Sequence, residues 1–154
     1  MPRVARAVVE PLGGDIVAAV QCIAIDADAF PYASAPFGRR SPSWRIWTAR
    51  IEGEPRVIAF LAARLRARVL HIDGLAVDRA FRRRGVGLAL VSEAATYARS
   101  HRLRAVELHV SLANGSAIAL YDAAGFIAVR RLRSFYPAGA FDGERDAYRM
   151  LLRP

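Results

Sequence analysis

Hydrophobic and polar positions change period several times along this chain, and each change marks an element. Residues 3–10 form a short run of β type. After Gly13-Gly14 an apolar, alanine-rich stretch predicts a helix through Ala29 with Asp15 as its cap. Residues 44–51 and 56–65 are rich in β-branched and aromatic side chains, and Glu52-Gly53-Glu54-Pro55 between them has the length and turn chemistry of a hairpin. A third strand, 68–77, follows closely. From 85 to 100, Val86, Ala89, Leu90, Ala94, Tyr97 and Ala98 recur at helical spacing. Residues 104–110 then read as a strand. Asn114 is suited to cap a helix running to about Ala124, and Gly125 supplies the left-handed residue that usually ends one. Strands over 126–134 and 147–152 flank a connection rich in Pro and Gly.

The segment 30–42 interrupts this regularity. Pro31, Pro36, Gly38 and Pro42 stand among aromatic and basic residues, so any helix there is short and broken, and the segment reads as a surface loop. The resulting order is neither a βαβα alternation nor an all-β series, and the chain carries no internal repeat. One mixed-sheet α/β domain over residues 1–154 is expected.

Composition narrows the setting. A chain of 154 residues with 54% hydrophobic content has enough apolar material for a continuous core. Its longest apolar runs, 57–63 and 85–91, fall well short of the roughly 20 residues that cross a bilayer. Met1-Pro2-Arg3-Val4-Ala5-Arg6 lacks the apolar segment and cleavage site of a secretory signal. The single cysteine, Cys22, cannot pair within the chain, so a reducing, cytoplasmic setting is expected and a structural zinc site is not. Net charge is +9. That surplus fits an anionic partner such as nucleic acid, a phosphorylated cofactor or an acidic peptide, and it fits equally an arginine-rich surface of no specific role.

The sharpest local signal is Phe81-Arg82-Arg83-Arg84-Gly85-Val86-Gly87, between a strand and a helix start. Unpaired N–H groups and the positive end of the helix dipole attract phosphate there, glycines permit close approach, and arginines add charge. No Gly-Lys-Ser/Thr follows as in a Walker turn, and Leu90 occupies the place of the third glycine of a dinucleotide fingerprint. A basic turn with structural glycines remains the alternative.

Leu75-Ala76-Val77-Asp78 followed by Arg82-x-x-Gly85-x-Gly87 resembles the acetyl-CoA motif of the GNAT acetyltransferases. Asn114-Gly115-Ser116-Ala117-Ile118-Ala119-Leu120-Tyr121-Asp122-Ala123-Ala124-Gly125-Phe126 is similar to that family's downstream motif in order and spacing. The resemblance covers most of the chain. It implies the GNAT fold, with a mixed, mostly antiparallel central sheet flanked by helices on both faces, and acetyl-CoA as cofactor. Leu75, Ala76, Val77, Arg82, Arg83, Arg84, Gly85, Val86, Gly87, Asn114 and Tyr121 would then hold it. Asp28-Ala29-Phe30-Pro31-Tyr32 and Phe135-Tyr136-Pro137 with Gly143-Glu144-Arg145-Asp146-Ala147 are similar to segments of one branch, the N-terminal protein acetyltransferases that include RimI-like ribosomal-protein alanine acetyltransferases. Phe30, Pro31, Tyr32, Glu107 and Tyr136 become candidate acceptor-binding residues on that resemblance.

Strand alternation along 104–110, carried on to Ser111, puts Glu107, His109 and Ser111 on one face. A histidine with an unperturbed pKa near ~6.5 suits a general base, and equally a hydrogen-bonded sheet residue. The resemblance favours the base, because some N-terminal acetyltransferases use histidine at this place whereas RimI-like enzymes carry glutamate. His71 and Asp73 lie on one face of the neighbouring strand, His71 at a position where a histidine-using relative has a water-holding tyrosine. Tyr121 matches the family tyrosine that protonates the departing thiolate. Asn114 serves a helix cap or the pantetheine arm, and Cys22 reads as a packing residue.

The implied reaction is direct attack of a neutral amine on the thioester, with backbone N–H groups around residues 75–77 polarising the carbonyl. At pH 7 roughly 10% of a peptide α-amine is neutral and well under 0.1% of lysine, so a mild base such as His109 suits an N-terminal amine of a protein or peptide, possible acceptors including a ribosomal protein. The alternatives are a small-amine or lysine acetyltransferase of the same fold, and a non-catalytic basic RNA- or ribosome-binding module. No membrane partner or metal is expected.

Overall fold

A computed structural model describes residues 6–30, 35–38 and 41–154. Among these the sequence pattern becomes β1 (Ala7–Pro11), α1 (Ile16–Ala29), β2 (Trp44–Ile51), β3 (Ala59–Arg66), β4 (Val69–Val77), a short 3-10 turn (Arg79–Phe81), α2 (Val86–Ser100), β5 (Ala105–Ser111), α3 (Gly115–Ala123), β6 (Ile127–Leu132) and β7 (Ala147–Leu152). The strands form one seven-stranded sheet in the order β1-β2-β3-β4-β5-β7-β6. Every neighbouring pair is antiparallel except β4 and β5.

Local chemistry sets the helix ends. Asp15 accepts from the Ala18 N–H at 2.9 Å and starts α1, while Asn114 accepts from the Ala117 N–H at 3.1 Å and starts α3. Gly125, at φ 95°, turns the chain out of α3 in the left-handed region, as its position predicts.

Helices cover both faces of the sheet. On one side α2 buries Leu90, Val91 and Ala94 against Leu61, Leu70 and Leu108, and α3 adds Tyr121. On the other, α1 packs Ala18, Cys22 and Ile25 against Val57, Phe60 and Ala76. Phe37 corrects the reading of 30–42 as surface: it is buried and meets Phe60 edge-on at 4.7 Å, filling the α1-side core. β3 also begins later than its run 56–65 suggests. Gln21 on α1 takes the Val57 N–H at 3.0 Å, so regular pairing starts at Ala59.

One irregularity positions the site. Between β3 and β4, Ala63 pairs with Ile72 and Ala62 with Gly74, leaving Asp73 as the extra residue of a β-bulge. The bulge reverses the alternation. Before it Leu70 and Ile72 face the α2 core; after it Leu75 and Val77 do. Bulges bend and twist a strand. The parallel ladder to β5 accordingly ends at Ile72 opposite Leu108, although β4 continues to Val77 and β5 to Ser111.

Leu90 is fully buried between α2 and the sheet. Leu90→Ala is expected to lower unfolding free energy by about 2–5 kcal/mol, read as a lower urea midpoint.

Candidate active site

The turn between the 3-10 segment and α2 is built to receive an anion. Gly85 caps α2 in the left-handed region at φ 77° and, unlike Asp15 and Asn114, brings no side-chain acceptor. Ala89 is the first residue of α2 to donate to the Gly85 carbonyl, at 3.0 Å. The N–H groups of Val86, Gly87 and Leu88 therefore have no acceptor among the described residues. Arg83 beside them also has positive φ, at 63°. Gly87 is also closely packed: a Cβ there would lie 3.1 Å from Leu120 Cδ2 on α3, so that side chain would have to shift by a few tenths of an ångström.

This helix end opens onto a cleft of about 530 Å³ along the unpaired end of β4. Leu75, Ala76, Val77, Arg82, Arg83, Gly85, Val86, Gly87 and Asn114 all line it, so the structure gathers most of the cofactor candidates, and the acceptor candidate Phe30 lines it as well. Phe81, Ser116 and Leu120, which stand in the quoted motifs without an assigned role, also line it, as does Leu88, which no motif included. Arg82 donates from Nε to the Val77 carbonyl at 2.9 Å, tying the turn to the end of β4. Arg84 is outside the lining, its guanidinium over the Phe81 ring at 5.4 Å. Asn114 caps α3 through its Oδ1, and the residue also lines the cleft.

Across the sheet from α2, where β4 and β5 are still paired, lies a row of charged and ionisable side chains. Arg64 on β3 binds Asp73 through two bonds of 2.6 and 2.7 Å. His71 lies between carboxylates, its Nε2 3.8 Å from Asp73 and its Nδ1 3.3 Å from Glu107. Arg149 on β7 closes the row with bonds of 2.7 and 3.1 Å to Glu107. Burial alone would raise the Glu107 carboxyl, but the hydrogen bonds from Arg149 and His71, with their charges, hold it below its ordinary value. Arg149 was not identified from sequence; its alternation is visible, but its pairing with β5 is not local information.

His109 stands beside this row, opposite Arg149 in the β5–β7 ladder. Its ring centroid lies 5.1 Å from that of His71 and 4.6 Å from that of Phe135. Partial burial lowers its pKa first, the neighbouring His71 and Arg149 lower it further, and Glu107 and Asp73 oppose them without reversing the shift. A neutral imidazole near pH 7 is the result.

Tyr121 is placed differently from His109. It is buried on the α2 side against Phe126 and lies outside the residues lining the cleft. Burial pushes its phenol well above the ordinary value, with Tyr136 adding to the shift, so it stays protonated. Tyr136 is itself buried, its ring 4.9 Å from Phe135 and 4.6 Å from Phe141. Pro31 and Tyr32 lie outside the described residues. Burial drives the Cys22 thiol up to about 12, which leaves no thiolate for covalent chemistry.

Comparison with known proteins gives this geometry its setting. Residues 9–126 match the Acetyltransferase (GNAT) family. Over 126 residues the chain is 30% identical to the ribosomal protein bS18 alanine N-acetyltransferase of Salmonella typhimurium, covering 82% of this chain and 83% of that one. The structure of Arabidopsis thaliana NAA60 in complex with acetyl-CoA superposes with TM-score 0.79 at 25% identity, over 96% of this chain and 98% of its own. The ribosomal-protein-S18-alanine N-acetyltransferase of Escherichia coli has the same fold, with TM-score 0.79 at 24% identity over 96% and 94% of the two chains. Sequence and fold agree: the chain belongs to the GNAT acetyltransferases and is an N-acetyltransferase that uses acetyl-CoA.

Proposed function

We propose that this enzyme acetylates the N-terminal α-amine of a protein, as a single catalytic domain working in the cytoplasm. The observation that carries this reading is His109, a half-buried imidazole held neutral beside the point where β4 and β5 part. Such a base matches an amine of pKa near ~8 far better than lysine near ~10.4. The Salmonella relative, whose name specifies an alanine of ribosomal protein bS18, supports the same acceptor class.

The cleft suits acetyl-CoA. The free N–H groups of Val86, Gly87 and Leu88, with Arg83 adjacent, are donors for its pyrophosphate, and Asn114 and the open edge of β4 at residues 75–77 face the space for its pantetheine arm. When bound, acetyl-CoA supplies an activated acetyl thioester and a thiolate leaving group. His109, directly or through water, accepts the proton that the incoming ammonium must lose. His71, clamped by Glu107 and Asp73, orders the polar surface beside it. Backbone N–H groups at 75–77 would polarise the reacting carbonyl, and Tyr121, protonated but outside the cleft lining, is the motif's candidate proton donor. Phe135 and Tyr136 wall the acceptor side.

Mass spectrometry of peptide libraries and small amines incubated with acetyl-CoA tests the acceptor. Acetylated peptide α-amines are expected; turnover of small amines alone would overturn the assignment. His109→Ala is expected to lower kcat by about 10²–10⁴, with acetyl-CoA affinity retained. In the wild type, the limb of kcat that reports His109 lies below pH ~6.5, because its shift is downward and activity requires the neutral form; that limb is expected to vanish in the variant. Tyr121→Phe is expected to lower kcat without removing the limb.

Gly85→Ala tests the cofactor turn separately. No atom lies within 4 Å of the added Cβ, so its effect comes from φ 77° alone. A cost of about 1–2 kcal/mol is expected, seen as a lower Tm and a higher KM for acetyl-CoA with the pH profile of kcat unchanged.

A further inference from the structure

Five arginines gather on two adjoining turns at the end of the sheet remote from the cofactor turn. Arg66 and Arg68 belong to the β3–β4 turn, Arg99 to the last turn of α2, and Arg102 and Arg104 to the loop entering β5. All five are exposed. The turns are stitched together: the Arg104 N–H donates to the Arg68 carbonyl at 2.7 Å, and Arg68 Nη2 donates to the Arg102 carbonyl at 2.5 Å. None of the five forms an ion pair among the described residues, whereas Arg50, Arg56, Arg64, Arg79, Arg131 and Arg149 each do.

Helix capping accounts for little of this. A cation at the C-terminus of α2 complements the helix dipole, which explains Arg99 and not Arg66, Arg68 or Arg104. The backbone disfavours two of the others. Arg66 pairs with Val69 across a two-residue turn of Ala67 and Arg68, at φ 46° and 63°, and Arg102 has φ 53°. Such positions ordinarily favour Gly, Asn or Asp. Arginine occupies two of them.

We propose that this surface binds single-stranded nucleic acid through its phosphodiester backbone. A guanidinium fork matches phosphate, and five charges without intramolecular counterions leave phosphate to neutralise them. The surroundings favour nucleic acid over a membrane or a protein face. The large exposed hydrophobic side chains, Val8, Ile16, Val17, Val20, Ile23, Leu88, Ile127, Val129 and Phe135, all lie outside the two turns. An interface with another protein needs an apolar centre, and insertion into lipid needs apolar anchors. The exposed His101, stacked on Tyr97 at 3.9 Å, instead supplies a planar surface beside the arginines on which a base can stack. The surface also borders the site: Ala105 and His109 are four residues apart on β5, about 13 Å. A nucleic-acid-bound protein would thus present its N-terminus close to the base.

The test is fluorescence anisotropy of a labelled, mixed-sequence RNA oligonucleotide against the full chain, between about 50 and 200 mM salt. Two triple variants are compared. One is Arg66→Gln, Arg99→Gln and Arg104→Gln, which leaves the Arg68–Arg102 stitch in place. The other removes the same charge elsewhere, at the exposed Arg6, Arg130 and Arg153. The wild type is expected to bind with strong salt dependence. The first triple is expected to weaken binding at least about tenfold and flatten the log–log salt slope by about 2, and the second to change little. Both triples are expected to acetylate a short free peptide at the wild-type rate, so this test is independent of the acceptor assignment. Equal weakening by the two triples would overturn the proposal, reducing it to diffuse net charge. Displacement of RNA by polyglutamate or phosphatidylserine vesicles at equal charge would also overturn it, as would absence of salt-sensitive binding.

Discussion

Everything distinctive about this molecule depends on two parallel strands that part company. β4 and β5 are hydrogen-bonded only from Val69 opposite Ala105 to Ile72 opposite Leu108. Beyond that point β4 stays bound to β3 and β5 to β7, so the sheet holds together while its middle opens. An open strand edge in a buried sheet is costly unless its backbone groups find partners. In this enzyme the open edge adjoins the cleft proposed for acetyl-CoA, and the bulge at Asp73 turns Leu75 and Val77 toward the α2 side at that place.

The same parting separates two chemistries. On one side, α2 begins with a left-handed glycine and three free N–H groups, a surface for anions. On the other, a sheet face carries Arg64, Asp73, His71, Glu107 and Arg149 in a row whose charges neutralise one another. Buried charges endure only when paired. That pairing lets His109 sit among ionised groups and still be held neutral, chiefly by burial.

Local information carried much of this into the sequence. Asp15, Asn114 and Gly125 announce helix ends through their own side chains or backbone freedom, and the structure uses all three as their chemistry predicts. The arginine-glycine turn was legible for the same reason. Residues whose roles depend on distant partners were not. Phe37 looks like loop until Phe60 is placed opposite it. Arg149 is one more arginine until β7 pairs with β5, and the bulge at Asp73 exists only relative to β3. Arg68 and Arg102 run against local preference, and the reason for them lies in what the two turns form together.

The account rests on acetyl-CoA occupying the gap between the parted strands and the free end of α2. Amide hydrogen exchange with and without acetyl-CoA addresses this directly. Slowed exchange at Val86, Gly87 and Leu88, and along the unpaired stretch of β4 at residues 73–77, is predicted, with β1 and β2 unchanged. Protection of the α2 amides without any change along β4 would contradict the central claim, because the anion site would then be filled while the opened strand played no part in holding the acetyl donor.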